Sequence, residues 1–154
     1  MGDRAIIVLQ SQVEVKGEVR DLYSPKIYLH WHGKPETVRE FLEITNEIME
    51  DRTDDLHYYF ARLCGVIHTN IEGNMSFGVS NTHNTFQLTC WYIENILSHG
   101  DNGVYVYNID KQILTQFPYE GHFVMQGLGK KEVEAGDFEL MFPNYSHTEG
   151  LMLL

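Results

Sequence analysis

At 154 residues, with 43% hydrophobic and 21% charged side chains, the chain has the length and composition of one folded domain, which excludes an intrinsically disordered segment. Eleven Lys and Arg against 22 Asp and Glu give a formal net charge of −11, which argues against direct nucleic-acid binding, because neutralising phosphates needs clustered cations. A protein partner with a basic surface fits that charge better.

From Ala5 to Val15 the chain is rich in Ile and Val and closes on the alternation Val13-Glu14-Val15, so a strand with a buried face is expected, followed by a turn at Gly17. Lys26 to His32 (KIYLHWH) is a second strand candidate. It should pair antiparallel with the first across a polar connection from Gly17 to Pro25, placing Ile27, Leu29 and Trp31 on one face and Tyr28, His30 and His32 on the other. Gly33-Lys34-Pro35 then punctuates the chain, with Pro35 suited to the first helical position.

A helix should run from there to about Glu50, with Val38, Phe41, Leu42, Ile48 and Met49 on its apolar face. Glu36, Glu40, Glu43, Glu47 and Glu50 fall on the opposite face, and Asp51 continues the acidic run. Thr53 or Asp54 can cap a second helix whose apolar stripe is Leu56, Tyr59, Phe60, Leu63, Cys64 and Ile67, ending at Gly73-Asn74. Met75 to Ser80 reads as a strand, Asn81 to Thr85 as a loop, and Phe86 to Leu97 as a stretch of ambiguous period.

Gly103 to Ile109 and Ile113 to Phe117 form a second hairpin around Asp110-Lys111. Beyond Pro118, glycines break the pattern into short pieces, one being Phe138 to Phe142, and the apolar end Leu151 to Leu154 suits docking onto the core or onto a second copy in a homo-oligomer. The expected architecture is one α+β domain over 1–154, a mainly antiparallel sheet with two consecutive helices packed on one face. No apolar run reaches the roughly 20 residues of a membrane span, and no secretory signal order is present. Cys64 and Cys90 read as reduced core thiols, so the expected location is the cytoplasm.

Two places carry chemistry. At His30-Trp31-His32-Gly33-Lys34, two imidazoles, an ammonium and the amides of a helix N-terminus can converge on an anion, with Arg4 as a further cation and Trp31 as a stacking surface. A nucleotide or other small phosphorylated ligand, held there and sequestered or hydrolysed, is one functional reading. The same histidines can bind a metal only with a third ligand from Asp3, His57, His68 or His83, and Cys64 with His68 makes a second weak pair, so no metal or cofactor is assigned. The other place is the acidic helix face, Glu36 to Asp51, whose regularly spaced carboxylates can imitate a phosphate backbone and occupy a basic surface.

The opening Met1-Gly2-Asp3-Arg4-Ala5, the segment Leu29-His30-Trp31-His32-Gly33 and the later Ser76-Phe77-Gly78-Val79-Ser80 resemble a group of small uncharacterised bacteriophage and bacterial proteins. Those proteins begin Met-Gly-Asp-Arg-Ala-Asn and carry His-Trp-Gly-Gly. Ile6 and His32 depart from that pattern, and Asn81 to Gly100 reads as an insertion. The resemblance covers about the first 80 residues and, more faintly, Asn102 to Asp110, and supplies no activity. It implies a phage or mobile-element setting, and with the acidity it leads to the first functional reading: a non-enzymatic binding protein that inhibits a host defence component.

Overall fold

In the computed structural model, which describes residues 2–71, 77–80, 101–117, 124–129 and 132–142, the sheet is organised around the Ile- and Val-rich strand near the N-terminus. This strand, β1 (Ala5–Val15), is buried without a break from Ala5 to Ser11 and exposed from Val13 onward. Both faces of its inner half are covered, so its apolar run needs no alternation.

β2 (Glu18–Tyr23) and β3 (Lys26–Leu29) lie end to end along one edge of β1, both antiparallel to it, in registers that run from Val15↔Glu18 to Gln10↔Tyr23 and from Ile7↔Ile27 to Ala5↔Leu29. The turn is two residues long. Lys16 (φ 53°) and Gly17 (φ 82°) both take left-handed conformations, the geometry whose twist matches the flanking strands. The antiparallel pairing of the first two sequence segments therefore holds, but the polar connection from Gly17 to Pro25 is itself mostly a strand. It carries no local signal because β2 is exposed from Glu18 to Leu22, with only Tyr23 partly buried, and has no apolar period.

Where β2 hands over to β3 the ladder is completed by a side chain. Buried Ser24 donates its N–H to the Leu9 carbonyl (2.9 Å), accepts the Leu9 N–H on Oγ (2.9 Å) and donates its hydroxyl to the Pro25 carbonyl (2.9 Å). Pro25 has no amide to offer, and the serine satisfies a backbone donor that would otherwise be orphaned in the core.

On the other edge, β5 (Val104–Asn108) runs parallel to β1 from Ile6↔Val104 to Gln10↔Asn108. β6 (Ile113–Phe117) and β7 (Val124–Gly127) follow antiparallel, and β4 (Phe77–Ser80) pairs antiparallel with β3. The order is β4-β3-β1-β5-β6-β7, with β2 on the outer half of β1 and one parallel pair in an otherwise antiparallel sheet. β5 and β6 are the hairpin expected around Asp110-Lys111. Its turn is held by Asn108, whose Oδ1 accepts the amides of Asp110 (3.1 Å) and Lys111 (2.9 Å).

α1 (Pro35–Met49) and α2 (Leu56–Asn70) pack on one face, against Ile7, Leu9, Ile27, Leu29, Tyr105 and Tyr107. A short helix, α3 (Asp137–Met141), covers the other, where Ile6, Val8, Val104, Val106 and Phe117 meet Met141 and Phe142. The fold is thus α+β, with the two consecutive helices on one face. Between the helices, Tyr59 donates to Asn46 Oδ1 (2.8 Å), and Asn46 Nδ2 donates to the Tyr107 hydroxyl (3.3 Å), so the buried tyrosines are satisfied across three elements.

Four local expectations are corrected. β3 ends at Leu29 instead of His32, because the chain must leave the sheet to start α1: His32 turns left-handed (φ 66°) and Trp31 is exposed, so His30 and His32 do not share a strand face. Ile48 is 52% exposed, and buried Thr45 takes its place in the interface, its hydroxyl bonded back to the Phe41 carbonyl (2.8 Å). α2 is capped by Asp55, which accepts from the Tyr58 amide (3.4 Å), because Thr53 and Asp54 continue the turn that follows the 3₁₀ segment Glu50–Arg52 and the helix starts only at Leu56. Val66, outside the expected stripe, is buried, while Leu56, Phe60 and Cys64 are only partly so. The expectations for Gly73 to Ser76, Asn81 to Gly100, Cys90 and Leu151 to Leu154 lie outside the described residues.

Candidate functional site

The turn from His30 to Lys34 is pinned through its glycine. The Gly33 N–H donates to the Asp3 carbonyl (2.9 Å), and its own carbonyl accepts the Tyr105 hydroxyl (2.8 Å) in the buried interior. A Cβ on Gly33 would lie 2.3 Å from the Asp3 oxygen and 2.7 Å from the Ala5 Cβ, so only glycine allows the N-terminal segment to pass this closely. Burial pushes the Tyr105 phenol upward, with the Glu36 charge adding to the shift, so this donor keeps its proton through the neutral range.

Around that anchor the cationic groups are dispersed or already engaged. His30 is half-buried, its Nδ1 is 3.1 Å from the Tyr28 hydroxyl, and its ring meets Trp31 edge-on at 5.2 Å. Arg4 faces Asp101: its backbone N–H and its Nε both reach Asp101 Oδ2, at 2.9 and 3.4 Å. The amide, then the guanidinium, hold the Asp101 carboxyl below its usual range. Lys34 is exposed at the N-cap.

The helix terminus offers few donors. Pro35 has no N–H, the Thr37 and Val38 amides are bonded to the Lys34 carbonyl (3.1 and 3.0 Å), and the Glu36 carboxylate already stands in the first turn. An incoming anion would meet repulsion and few free amides.

The acidic face of α1 is laid out as its spacing implies. Glu36, Glu40, Glu43 and Glu47 follow one another at intervals of four, three and four along one stripe of α1; the backbone leaves the helix at Glu50 (φ 54°), and Glu50 and Asp51 follow in the 3₁₀ turn. All six are exposed. At 1.5 Å rise per residue, the stripe from Glu36 to Glu47 is about 16 Å long.

Among the described residues only Glu43 has a cation in reach, Arg39 at 3.2 Å. That arginine also donates to Gln126 Oε1 (2.8 Å) and to the Gly127 carbonyl (2.6 Å), so it fastens α1 to β7 while pairing with Glu43 alone of the stripe. At the far end, Arg52 is held by Asp55 (3.0 Å) and stacks on Tyr58 (4.2 Å to the ring centroid). Ile48, beside this stripe, adds an exposed apolar contact that periodicity did not reveal, since it sits at the margin of the buried face.

No family model, curated protein or solved structure matches the chain.

Metal ligation gains no geometry. No group of three or more His, Cys, Asp or Glu side chains converges among the described residues; His57 and His68 stand exposed on α2, and His83 lies outside the described residues. Cys64 is a free thiol, half-buried, and burial pushes its pKa up, which keeps it protonated and weakly nucleophilic. No helix among the described residues is long and apolar enough to cross a membrane.

Proposed function

We propose that the protein is a non-catalytic binding protein that docks the acidic face of α1 onto a basic surface of a partner protein. One observation carries this reading: four exposed glutamates, Glu36, Glu40, Glu43 and Glu47, form a stripe along α1, exposed Glu50 and Asp51 follow in the next turn, and among these six only Glu43 has a described cation within reach. A row of fixed like charges steers a complementary surface and sets its orientation. Ile48 supplies an apolar contact at the margin. The setting, a phage or mobile-element protein that disarms a host defence component, rests on the resemblance of the N-terminal motifs. The alternative, a phosphorylated ligand held by Arg4, His30, His32 and Lys34 with Trp31 stacking, gains little from a turn where Arg4 is already paired and the helix amides are largely used.

The test is capture of partners from a bacterial lysate by the wild type, by the Glu40→Lys/Glu47→Lys/Glu50→Lys variant and by a charge-matched control, Glu18→Lys/Glu132→Lys/Glu134→Lys. Glu43 is spared because its reversal would also disturb Arg39. Each triple variant carries −5 against −11 for the wild type, so bulk charge is held equal. Partners lost with the α1 variant and kept by the control support the reading. Equal capture by all three, or equal loss from both variants, sinks it.

A further inference from the structure

The geometry points to a second docking surface on the opposite side of the sheet from α1: a groove between the β1–β2 arm and α3 that takes an extended peptide segment carrying basic and apolar side chains. The groove encloses about 560 Å³, within the ~300–1,000 Å³ typical of ligand sites. Glu14 stands opposite Val19, and Gln12 opposite Asp21, so these side chains share the arm face that continues the α3 side of the sheet. Leu140 and Glu139 of α3 form the facing wall.

The wall is fixed in place. Gln12 Nε2 donates to the Leu140 carbonyl (3.2 Å) and to Asp21 Oδ1 (2.9 Å), and Gln10 Nε2 donates to the Met141 carbonyl (3.0 Å). Yet the apolar side chains bounding the groove are left in water: Val19 is 67% exposed and Leu140 64%.

The chemistry of the occupant follows from the charges. Glu14, Asp21 and Glu139 line the groove against one cation, Lys111, which faces Asp137 at 3.8 Å. A second copy of this chain, itself at −11, would bring like charge to that rim, whereas Lys or Arg side chains complement it and an apolar side chain covers Val19 and Leu140.

The backbone suits an extended partner. β5 accompanies β1 only to Gln10↔Asn108, and the Asp110 carboxylate then closes the ladder by accepting the Gln12 N–H (2.8 Å) and the Ser11 hydroxyl (3.2 Å). From Val13 to Val15 no described strand flanks β1 on that side, and such an edge accepts an added strand.

The probe is a fluorescein-labelled, end-blocked peptide Lys-Leu-Arg-Leu-Lys, titrated by anisotropy against the full chain, with Glu-Leu-Glu-Leu-Glu as its acidic counterpart. Saturable binding of the basic peptide alone is expected. It should weaken about tenfold in Glu14→Lys/Glu139→Lys and severalfold in Leu140→Ser, with amide shifts mapping to Val19 and Leu140. All three substitutions are at exposed positions, and far-UV circular dichroism checks that each variant stays folded.

The Glu40→Lys/Glu47→Lys/Glu50→Lys variant should bind this peptide as the wild type does, which separates the groove from the α1 face. Any of four results overturns the proposal: no binding, equal binding of both peptides, loss with the α1 variant instead of the groove variants, or a dimer in sedimentation that Leu140→Ser dissociates.

Discussion

Replacing Ser24 by alanine removes one oxygen from a site that is 2% exposed and so isolates a single backbone donor. In the native chain the Leu9 N–H points at Ser24 Oγ, 2.9 Å away, at the place on the β1 edge where β2 ends and β3 has not begun. Leu9 is fully buried and Pro25 has no amide, so a methyl at position 24 leaves this donor without a partner. The cost of a buried unpaired amide is about 1–3 kcal/mol, and the reciprocal bond from the Ser24 N–H to the Leu9 carbonyl holds the loop where it is, so little relaxation is available. A loss of about 2 kcal/mol corresponds to a fall in Tm of about 4–8 °C for a chain of this size.

Urea denaturation followed by circular dichroism measures the loss, and amide hydrogen exchange locates it, since Leu9 should exchange faster in the variant than in the wild type. A variant within about 0.5 kcal/mol of the wild type, with Leu9 still protected, would refute the idea that the serine completes the ladder.

Gly33→Ala should destabilise the fold by about 1–3 kcal/mol, because the new Cβ meets the Asp3 backbone at 2.3 Å; chemical denaturation checks this, and no change would show that the N-terminal segment moves freely. Asp101 and Asp55 have carboxyls lowered by Arg4 and Arg52 respectively, so the stability they add is present at neutral pH and lost as the pH falls below 3.8 through their folded values. Asp101→Asn should accordingly flatten the acid limb of Tm against pH. Burial raises the phenols of Tyr23, Tyr59, Tyr105 and Tyr107 above 10, so at least these four of the nine tyrosines should stay un-ionised in an ultraviolet titration until the protein unfolds, and stability should fall as the pH rises past 10.

The elements legible in the sequence are those whose own residues carry the signal. The Ile- and Val-rich run at Ala5 to Val15 is β1 with the same bounds, Pro35 marks the start of α1, and the tyrosine alternation at 104–107 with Asp110-Lys111 gives the β5–β6 hairpin. What stayed hidden depends on partners distant in the chain. β2 buries only part of Tyr23, β7 lies among glycines, and His32 turns left-handed next to Gly33, which is tied to Asp3 and Tyr105.

The surfaces divide in the same way. Glutamates spaced by three and four must share a helix face, so the acidic stripe could be read directly, whereas the pairing of Arg4 with Asp101, 97 residues away, and the placing of Val19 and Leu140 on one groove leave no local trace. Ile48 and Leu140 were missed because apolar residues are assigned to the interior by default.

The two-sided bonding of β1 also has a consequence for biosynthesis. The strand is made before each of its sheet neighbours, finds its antiparallel partners β2 and β3 at once, and can be covered by α1 and α2 soon after. Its other edge must wait until β5 has been made, 98 residues after the residues it pairs with (Ile6↔Val104), and its second face until α3 arrives, where Gln10 reaches the Met141 carbonyl across 131 residues. For that interval the nascent chain carries an apolar strand with an open edge, so closing the sheet is a late, non-local and slow step, and chaperone contact during synthesis should concentrate on residues 5–10.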